Sequence, residues 1–303
     1  MDERKLVIIT GYSCNNNCRF CYDSNKRLNN IRDKDTKEII SYLIEGRKND
    51  CSYIDFIGGE PTIRKDIFEL IRKAKELGYK RIAITTNGRM ISYKDFLKKL
   101  VNAGLNSIIF SIHGHNAELH DSQTRVNESF HQLIKGIENA KKEKLNIGSN
   151  TTITKLNYNY LPEIGEFLIK IGLKNSEFIF VDPTGEALNN FADIVPRIKE
   201  VSPYIKKLLD LGIENKIPHW HIRYLPFCYL EGYENYISEN VSPFSKEIHL
   251  GPDFVNYNVA SSRKLISRIK SPSCKECKYN SSCEGIWKTY AEKYGLDELK
   301  PIK

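Results

Sequence analysis

The stretch GYSCNNNCRFCYDS, residues 11–24, places three cysteines directly after the apolar segment KLVIIT at 5–10. These cysteines are Cys14, Cys18 and Cys21, in the spacing C-x3-C-x2-C. Thiolates that lie this close on one loop can bind a common metal centre. Three cysteine ligands leave one iron of a [4Fe–4S] cluster without a protein ligand. The pattern therefore predicts a metal site with one position open to a small molecule.

Short β-branched segments alternate with amphipathic helical segments from residue 5 to residue 211. Six strand–helix units in this order predict an α/β fold with parallel strands and right-handed crossovers. The strands end in polar or glycine-containing turns, where parallel α/β folds bind ligands. Six units are too few for a closed eight-stranded barrel, so we expect an open, partial barrel. The predicted strands are 5–10, 53–59, 81–88, 107–114, 146–154 and 177–185, and the predicted helices are 35–49, 66–77, 93–103, 128–144, 161–172 and 194–211.

The sequence changes character near residue 213, where aromatic residues and prolines replace the alternation. We therefore expect a barrel domain over 1–213 and a small cysteine-rich domain over 214–303. The segment HWHIRYLPFCYLEGYENY, 219–236, is expected to supply strands or a hairpin.

With the aromatic residue Phe20 before its last cysteine, the motif CNNNCRFC resembles the signature of the radical S-adenosylmethionine (SAM) superfamily. The family's fold is a TIM-like (β/α)6 partial barrel. The resemblance implies a [4Fe–4S] cluster on Cys14, Cys18 and Cys21, whose unique iron binds the amino and carboxylate groups of SAM. It also implies reductive cleavage of SAM to a 5′-deoxyadenosyl radical, which abstracts hydrogen from a substrate. An external reductant such as ferredoxin or flavodoxin would supply the electron.

Further motifs resemble the same family in type and order. The sequence GGEP at 58–61 is similar to the motif that receives the amino group of methionine, and TTNG at 85–88 is similar to a turn at the SAM or substrate face. An Asn-Gly pair also makes a simple tight turn, and the polar residues on strands four and five are equally compatible with a structural role. The resemblance implies SAM contacts at Phe20, Gly58, Gly59, Glu60, Thr86, Asn87, Ser111, Asn150 and Val181.

A second set of cysteines lies near the C-terminus, where Cys274, Cys277 and Cys283 have the spacing C-x2-C-x5-C and Cys228 stands upstream. Four cysteines suit tetrahedral zinc. The spacing, however, resembles the auxiliary-cluster segment of radical SAM enzymes with a SPASM or shorter twitch extension. No cysteine follows Cys283, so a single auxiliary [4Fe–4S] cluster on these four residues is expected. Cys51 is expected to be a free, buried cysteine.

Three histidines, His113, His115 and His120, lie close together after the fourth predicted strand, where a cavity-lining or capping role is favoured over a metal site. Arg125 is expected either to reach a carboxylate of SAM or substrate or to pair with an acid. Further candidate substrate contacts, each with structural packing as the alternative, are Lys155, Asn157, His219, His221, Arg223 and Tyr224.

The composition is that of a water-soluble globular chain, with 303 residues, 40% hydrophobic residues and a net charge of +8. No apolar segment is long enough to cross a bilayer and no signal peptide is recognisable, so a cytoplasmic location is expected. The lysines are spread along predicted helices, so nucleic-acid binding is not expected.

The substrate class is open at this stage. The absence of a leader-recognition domain favours a small molecule in cofactor or metabolite biosynthesis over a peptide or protein substrate. A different class of function, an iron–sulfur electron carrier or a zinc-binding adaptor, would leave the GGEP motif at 58–61 unexplained.

Overall fold

A single large sheet dominates the computed structural model, which describes residues 4–241 and 247–303. Its nine strands have the order β7-β6-β5-β4-β3-β2-β1-β8-β9, and all pairs are parallel except β8 with β9. These strands are β1 Arg4–Ile9, β2 Cys51–Ile57, β3 Arg81–Thr86, β4 Ser107–Ser111, β5 Asn146–Ile153, β6 Asn175–Phe180, β7 His219–Arg223, β8 Glu247–Leu250 and β9 Val255–Asn256.

Helices follow the parallel strands along the chain and cover the outer face of the sheet. The α-helices are α1 Ser24–Leu28, α2 Thr36–Lys48, α3 Ile67–Glu76, α4 Lys94–Ala103, α5 Ala117–Thr124, α6 Ser129–Lys142, α7 Leu161–Lys170, α8 Gly185–Asn189, α9 Phe191–Ile194, α10 Ile198–Glu214, α11 Ser238–Val241, α12 Val259–Ser262 and α13 Lys288–Tyr294. The six predicted strands correspond to β1–β6 and the predicted partial barrel is confirmed.

Local sequence signals set the element ends. Helix α2 begins with a capping box, in which Glu38 N donates to Asp35 Oδ1 at 2.9 Å and Asp35 N donates to Glu38 Oε2 at 2.8 Å. The two bonds satisfy main-chain donors that the first helical turn leaves free. The helix then buries Ile39 and Leu43 completely in the core, which explains the periodicity seen in the sequence.

The segment after residue 213 extends the barrel sheet. Strand β7 pairs in parallel with β6, so 219–236 begins with a parallel strand and not with a hairpin. Strand β8 pairs in parallel with β1 at the other side. Within the barrel, Arg223 lies 3.3 Å from Glu177 on β6 and 3.8 Å from Glu247 on β8. An ion pair therefore bridges the gap between β7 and β8, which share no hydrogen bonds in the sheet order.

The C-terminal segment forms a two-stranded antiparallel sheet of β10, Arg268–Ile269, and β11, Ile286–Trp287. It is anchored to the barrel by helix α13, where the buried Tyr290 hydroxyl accepts a bond from Ile198 N at 2.9 Å. Ile198 starts α10, so the C-terminal segment packs on the helix that follows β6. Within the residues described, no helix is long and apolar enough to cross a membrane.

Candidate functional site

The loop that carries Cys14, Cys18 and Cys21 follows β1 at the carboxyl edge of the parallel sheet. All three thiols are partly exposed and none is in a disulfide. Asn16 N donates to Cys14 Sγ at 3.3 Å. Burial raises the pKa of Cys14 to about 11 and the pKa of Cys18 further, and Cys21 adds to both shifts through its charge. Three thiols thus lie close enough to affect one another, which suits ligands that lose their protons together when they bind metal.

One side of the cysteine loop is anchored to the turn after β3. Asn87 Nδ2 donates to Asn15 Oδ1 at 2.7 Å, and Arg89 Nη1 donates to Asn16 Oδ1 at 3.1 Å. Arg89 also donates to Gln132 Oε1 at 2.7 Å, which fixes its guanidinium. The predicted TTNG turn therefore orients the cysteine loop.

The other side of the loop is held by main-chain bonds from two short helices. Thr124 O, in α5, accepts from Asn17 N at 3.1 Å. Glu186 N, in α8, donates to Cys21 O at 2.9 Å. The loop is thus fixed from both sides, so its three thiols keep a constant relative position.

The GGEP turn after β2 packs directly under the cysteine loop. Gly59 has φ +48°, and a Cβ at this position would lie 2.1 Å from Ser13 O. Glu60 N donates to Ser13 O at 2.8 Å. Only glycine permits this approach of two main chains, which explains the residue type at this position.

The Glu60 carboxylate is 2% exposed and accepts several hydrogen bonds from the protein. Its donors are Thr62 N at 3.0 Å, Thr86 Oγ1 at 2.7 Å and Asn87 N at 2.8 Å, together with the Thr62 hydroxyl. Burial raises the Glu60 pKa, and these hydrogen bonds oppose the increase. The result is a rigid carboxylate that joins the turns after β2 and β3.

Phe20 lies between the last two cysteines and contacts His113 edge to face, with ring centroids 4.6 Å apart. His113 is buried at the end of β4, and Thr152 N donates to its Nδ1 at 3.3 Å. Burial holds the pKa of His113 well below its usual range, so the ring is neutral and its proton lies on Nε2. The histidine thus packs against Phe20, and a cavity-lining role for it stays a prediction.

Ser111 on β4 and Asn150 on β5 are direct neighbours in the sheet and are both partly exposed. Val181, which follows β6, is buried, and its N–H donates to Ile153 O at 3.2 Å. Ser111 is the last residue of β4 and Val181 follows β6, so both lie at the carboxyl edge of the parallel sheet, the edge that also carries the cysteine loop. Contact of these three residues with SAM stays a prediction.

The remaining sequence candidates have mostly structural contacts. Arg125 pairs with Glu186 at 3.1 Å, the acid-pairing alternative. Asn157 Nδ2 donates to His113 O at 3.1 Å, and Lys155 Nζ donates to Ala192 O at 2.5 Å.

The other histidines lie apart from the cysteine loop. The Nδ1 atom of His120 accepts from His113 N at 3.2 Å, and His115 lies near Tyr160, with ring centroids 5.7 Å apart. His219 and His221 are neighbours on β7, with ring centroids 6.4 Å apart.

The second cysteine set comes together in space. Cys228, Cys274, Cys277 and Cys283 line one small cavity that opens partly to solvent, together with Lys270 and Lys300. Burial, together with the charges of the other three thiols, raises the pKa of Cys228 to about 11. Cys228, isolated in sequence, therefore lies beside the C-x2-C-x5-C motif.

Among residues 4–241 and 247–303, no group of three or more His, Cys, Asp or Glu side chains is already arranged to hold a single metal ion. Cys51 lies apart from both cysteine sets in sequence and is buried at the start of β2.

Sequence reasoning missed Arg89, which fixes two asparagines of the cysteine loop. Its position directly after TTNG was a usable signal, because a residue at the end of β3 faces the loops of neighbouring strands. Asn15, the partner of Asn87, carried no signal of its own.

Comparisons with known proteins agree with this geometry. The family described as the Radical SAM superfamily matches residues 8–168. A relative from Sulfurisphaera tokodaii, named probable GTP 3′,8-cyclase, is 30% identical over 245 residues, or 80% of this chain and 74% of that protein. A protein of the same name from Saccharolobus islandicus is 30% identical over 220 residues, 72% of this chain and 68% of that one.

Solved structures share the fold over nearly the whole chain. Streptococcus suis SuiB bound to S-adenosylmethionine has a TM-score of 0.69 at 16% identity, covering 99% of this chain and 76% of that one. The protein anSMEcpe with bound AdoMet and a peptide has a TM-score of 0.67 at 18% identity, covering 99% and 92%. The family match spans more than half of the chain, and the motifs meet at one edge of a partial barrel. The chain therefore belongs to the radical SAM superfamily and is an enzyme.

Proposed function

We propose that the chain cleaves SAM reductively at the Cys14–Cys18–Cys21 site and uses the resulting radical to abstract hydrogen from a small-molecule substrate of cofactor or metabolite biosynthesis. Membership of the family implies a [4Fe–4S] cluster and SAM, and three neighbouring thiols on a fixed loop fit such a cluster. When bound, the cluster supplies one electron and an open iron position. The observation that carries the proposal is the packing of this loop against the Gly59–Glu60 turn.

The residues of this chain would bind and orient SAM. Glu60 and Asn87 lie beside the cysteine loop, where the amino group of methionine would have a buried carboxylate nearby. Phe20, supported by His113, offers an aromatic edge for adenine. Ser111 and Asn150 present polar groups on adjacent strands for the ribose or the carboxylate.

A second [4Fe–4S] cluster on Cys228, Cys274, Cys277 and Cys283 completes the proposal. Four thiols around one cavity would coordinate every iron, so the cluster would transfer electrons and would not bind substrate.

GTP is the first substrate to test, because relatives that match 72–80% of the chain carry the name probable GTP 3′,8-cyclase. Anaerobically reconstituted protein would be reduced with titanium(III) citrate and incubated with SAM, with and without GTP. We expect 5′-deoxyadenosine to form in both samples and GTP to be consumed in the sample that contains it. Absence of 5′-deoxyadenosine from protein with full iron content would refute the proposed function.

A peptide substrate is the second candidate. It is supported only by the names of structural neighbours, since SuiB has been solved bound to its precursor peptide and anSMEcpe with a peptide. Formation of 5′-deoxyadenosine with GTP left intact would favour this candidate.

A further inference from the structure

One C-terminal stretch carries more basic than acidic side chains. Residues 261–283 contain six basic residues and one acidic residue, a net charge of +5 out of +8 for the whole chain. The basic residues are Arg263, Lys264, Arg268, Lys270, Lys275 and Lys278. Three of the four thiols of the second cysteine set lie in this stretch, and Lys270 lines their cavity.

Two large aliphatic side chains are exposed in the middle of this stretch. Leu265 is 76% exposed and Ile266 is 66% exposed, in a π-helix over Arg263–Ser267. Exposed aliphatic side chains next to one another are typical of interaction surfaces, and π-helical turns are frequent at functional sites.

The segment that carries these side chains is bonded to residues close to Cys283 in sequence. Arg263 forms two bonds with Glu284, at 2.6 and 2.7 Å, and Lys264 Nζ donates to Ser281 O at 2.6 Å. These partners flank Cys283 in sequence. Both sets of bonds fix the segment of Leu265 and Ile266 against the chain on either side of Cys283.

The rim of the cavity adds further basic side chains. Lys270 and Lys300 line it, and Lys270 Nζ donates to Asn280 Oδ1 at 3.1 Å. Lys264 and Lys275 are exposed at the surface. Exposed lysines in the same stretch as an exposed apolar pair favour a partner whose surface combines acidic and apolar side chains.

We propose that Lys264, Leu265, Ile266, Lys270 and Lys275, here called the basic-apolar surface, dock a small acidic electron-transfer protein that carries an iron–sulfur cluster or a flavin. The inference rests on the proposed function, because that reaction consumes one electron that the chain does not itself supply. In each transfer the carrier is oxidised by one electron and the centre held by the four thiols is reduced by one. Lys270 of this surface lines that cavity, and Lys275 lies between Cys274 and Cys277 in sequence.

The test compares two reductants on the reconstituted holoenzyme. One is a reduced acidic [4Fe–4S] ferredoxin, which must dock, and the other is titanium(III) citrate, which need not. Stopped-flow absorbance measures the rate at which the clusters are reduced, and titration calorimetry measures binding of the oxidised ferredoxin. One variant carries L265D and I266D together, and a second variant carries K275E alone.

We expect about tenfold slower reduction by ferredoxin and weaker binding in both variants, with unchanged reduction by titanium(III) citrate. Added salt should slow reduction by ferredoxin more in the unmodified protein than in K275E, because screening removes an electrostatic attraction that this variant already lacks. The substituted side chains are exposed, so folding is preserved, and thermal unfolding verifies this.

The matched controls address a rival entry point. Leu28 is 67% exposed on α1, next to Arg27, whose Nη1 donates to Asn16 O in the cysteine loop at 3.3 Å. The variant L28D tests electron entry on the catalytic side, and K98E on α4 controls for charge. The proposal would be overturned if ferredoxin reduced L28D more slowly but reduced the L265D and I266D variant at the unmodified rate. Equal rates of reduction in all variants would also overturn it.

The outcome can be separated from that of the proposed function. If titanium(III) citrate yields no 5′-deoxyadenosine while ferredoxin binding still depends on Leu265 and Lys275, the function fails and the docking site stands. If 5′-deoxyadenosine forms but an acidic peptide or an RNA duplex binds this surface in place of ferredoxin, the docking inference fails.

Discussion

The buried carboxylate of Glu60 accepts a hydrogen bond from the main-chain N–H of Asn87 at 2.8 Å, while Glu60 N donates to Ser13 O at 2.8 Å. One residue therefore connects the turn after β2 with the turn after β3 and with the start of the cysteine loop. Glu60 has a positioning role in addition to the SAM contact expected from the sequence.

Replacement of Glu60 by Gln tests both roles. The amide group turns an acceptor into a donor, and that donor faces Thr86 Oγ1 or Asn87 N, which already donate. We expect a loss of about 1–3 kcal/mol in the free energy of unfolding. The affinity for SAM, measured by equilibrium dialysis on the reconstituted protein, should also fall, in free-energy terms by at least as much as the stability.

The matched control is E76Q on α3. Glu76 pairs with Lys73 at 3.2 Å, and its side chain is 55% exposed, so its removal should change stability by less than about 0.5 kcal/mol. An E60Q protein with unchanged stability and unchanged SAM binding would refute both roles.

Iron content distinguishes the two cysteine sets. The unmodified protein, reconstituted without air, should contain about eight irons per chain, as two [4Fe–4S] clusters require. C14A and C228A should each lower the content towards about four, and only C14A should abolish 5′-deoxyadenosine. C51A, at the buried cysteine outside both sets, should keep about eight.

Zinc is measured in the same samples by mass spectrometry. The second cluster would be contradicted if the unmodified protein contained one zinc and about four irons per chain, and if C228A lost the zinc but kept about four irons. That result would leave the first cluster and the proposed reaction in place.

The alternation of strands and helices was readable because β1 and β2 are mostly buried apolar runs, whereas helices such as α2 bury residues at helical spacing. Glu60 and Gly59 were recognisable by motif, but their contacts with Asn87 and Ser13 join residues far apart in sequence. Sequence spacing did not reveal that β7 pairs in parallel with β6 or that β8 lies beyond β1. Register between distant segments depends on tertiary packing, and the side chains of Arg223 and Glu247 meet only after both strands have joined the sheet.

The neutral histidine pair predicts how stability depends on pH. Burial lowers the pKa of His120 to about 4, and the pKa of His113 is also lowered. An unfolded histidine titrates near 6.5, so between about pH 6.5 and 4 the unfolded chain binds more protons than the folded chain. The free energy of unfolding therefore falls as the pH falls through this window.

At pH 5.5, His120 alone should account for a loss of about 1 kcal/mol relative to pH 7.5. Urea unfolding of the unmodified protein and of H120Q at the two pH values measures the difference. We expect the free energy of unfolding to depend less on pH in H120Q than in the unmodified protein. In H131Q, where the replaced ring is exposed, the pH dependence should match that of the unmodified protein. Equal slopes in H120Q and the unmodified protein would contradict a buried neutral His120.

The contact between the GGEP turn and the cysteine loop can be tested with two glycines that share a backbone conformation. Gly59 has φ +48° and Gly78 has φ +82°, so an alanine at either position adopts a strained left-handed conformation. A Cβ at Gly59 would lie 2.1 Å from Ser13 O, whereas a Cβ at Gly78 would meet nothing within 4 Å. The difference between G59A and G78A therefore isolates the clash with the cysteine loop.

We expect G78A to lose about 1 kcal/mol of stability and to keep its full iron content and SAM cleavage. G59A must displace Ser13, one residue before Cys14, so it should lose cluster iron at the first site and form at least tenfold less 5′-deoxyadenosine. Anaerobic iron analysis and quantification of 5′-deoxyadenosine on both variants make the comparison. If G59A behaved like G78A in both measurements, the turn would not position the loop, and the close approach at Gly59 would have no part in the chemistry.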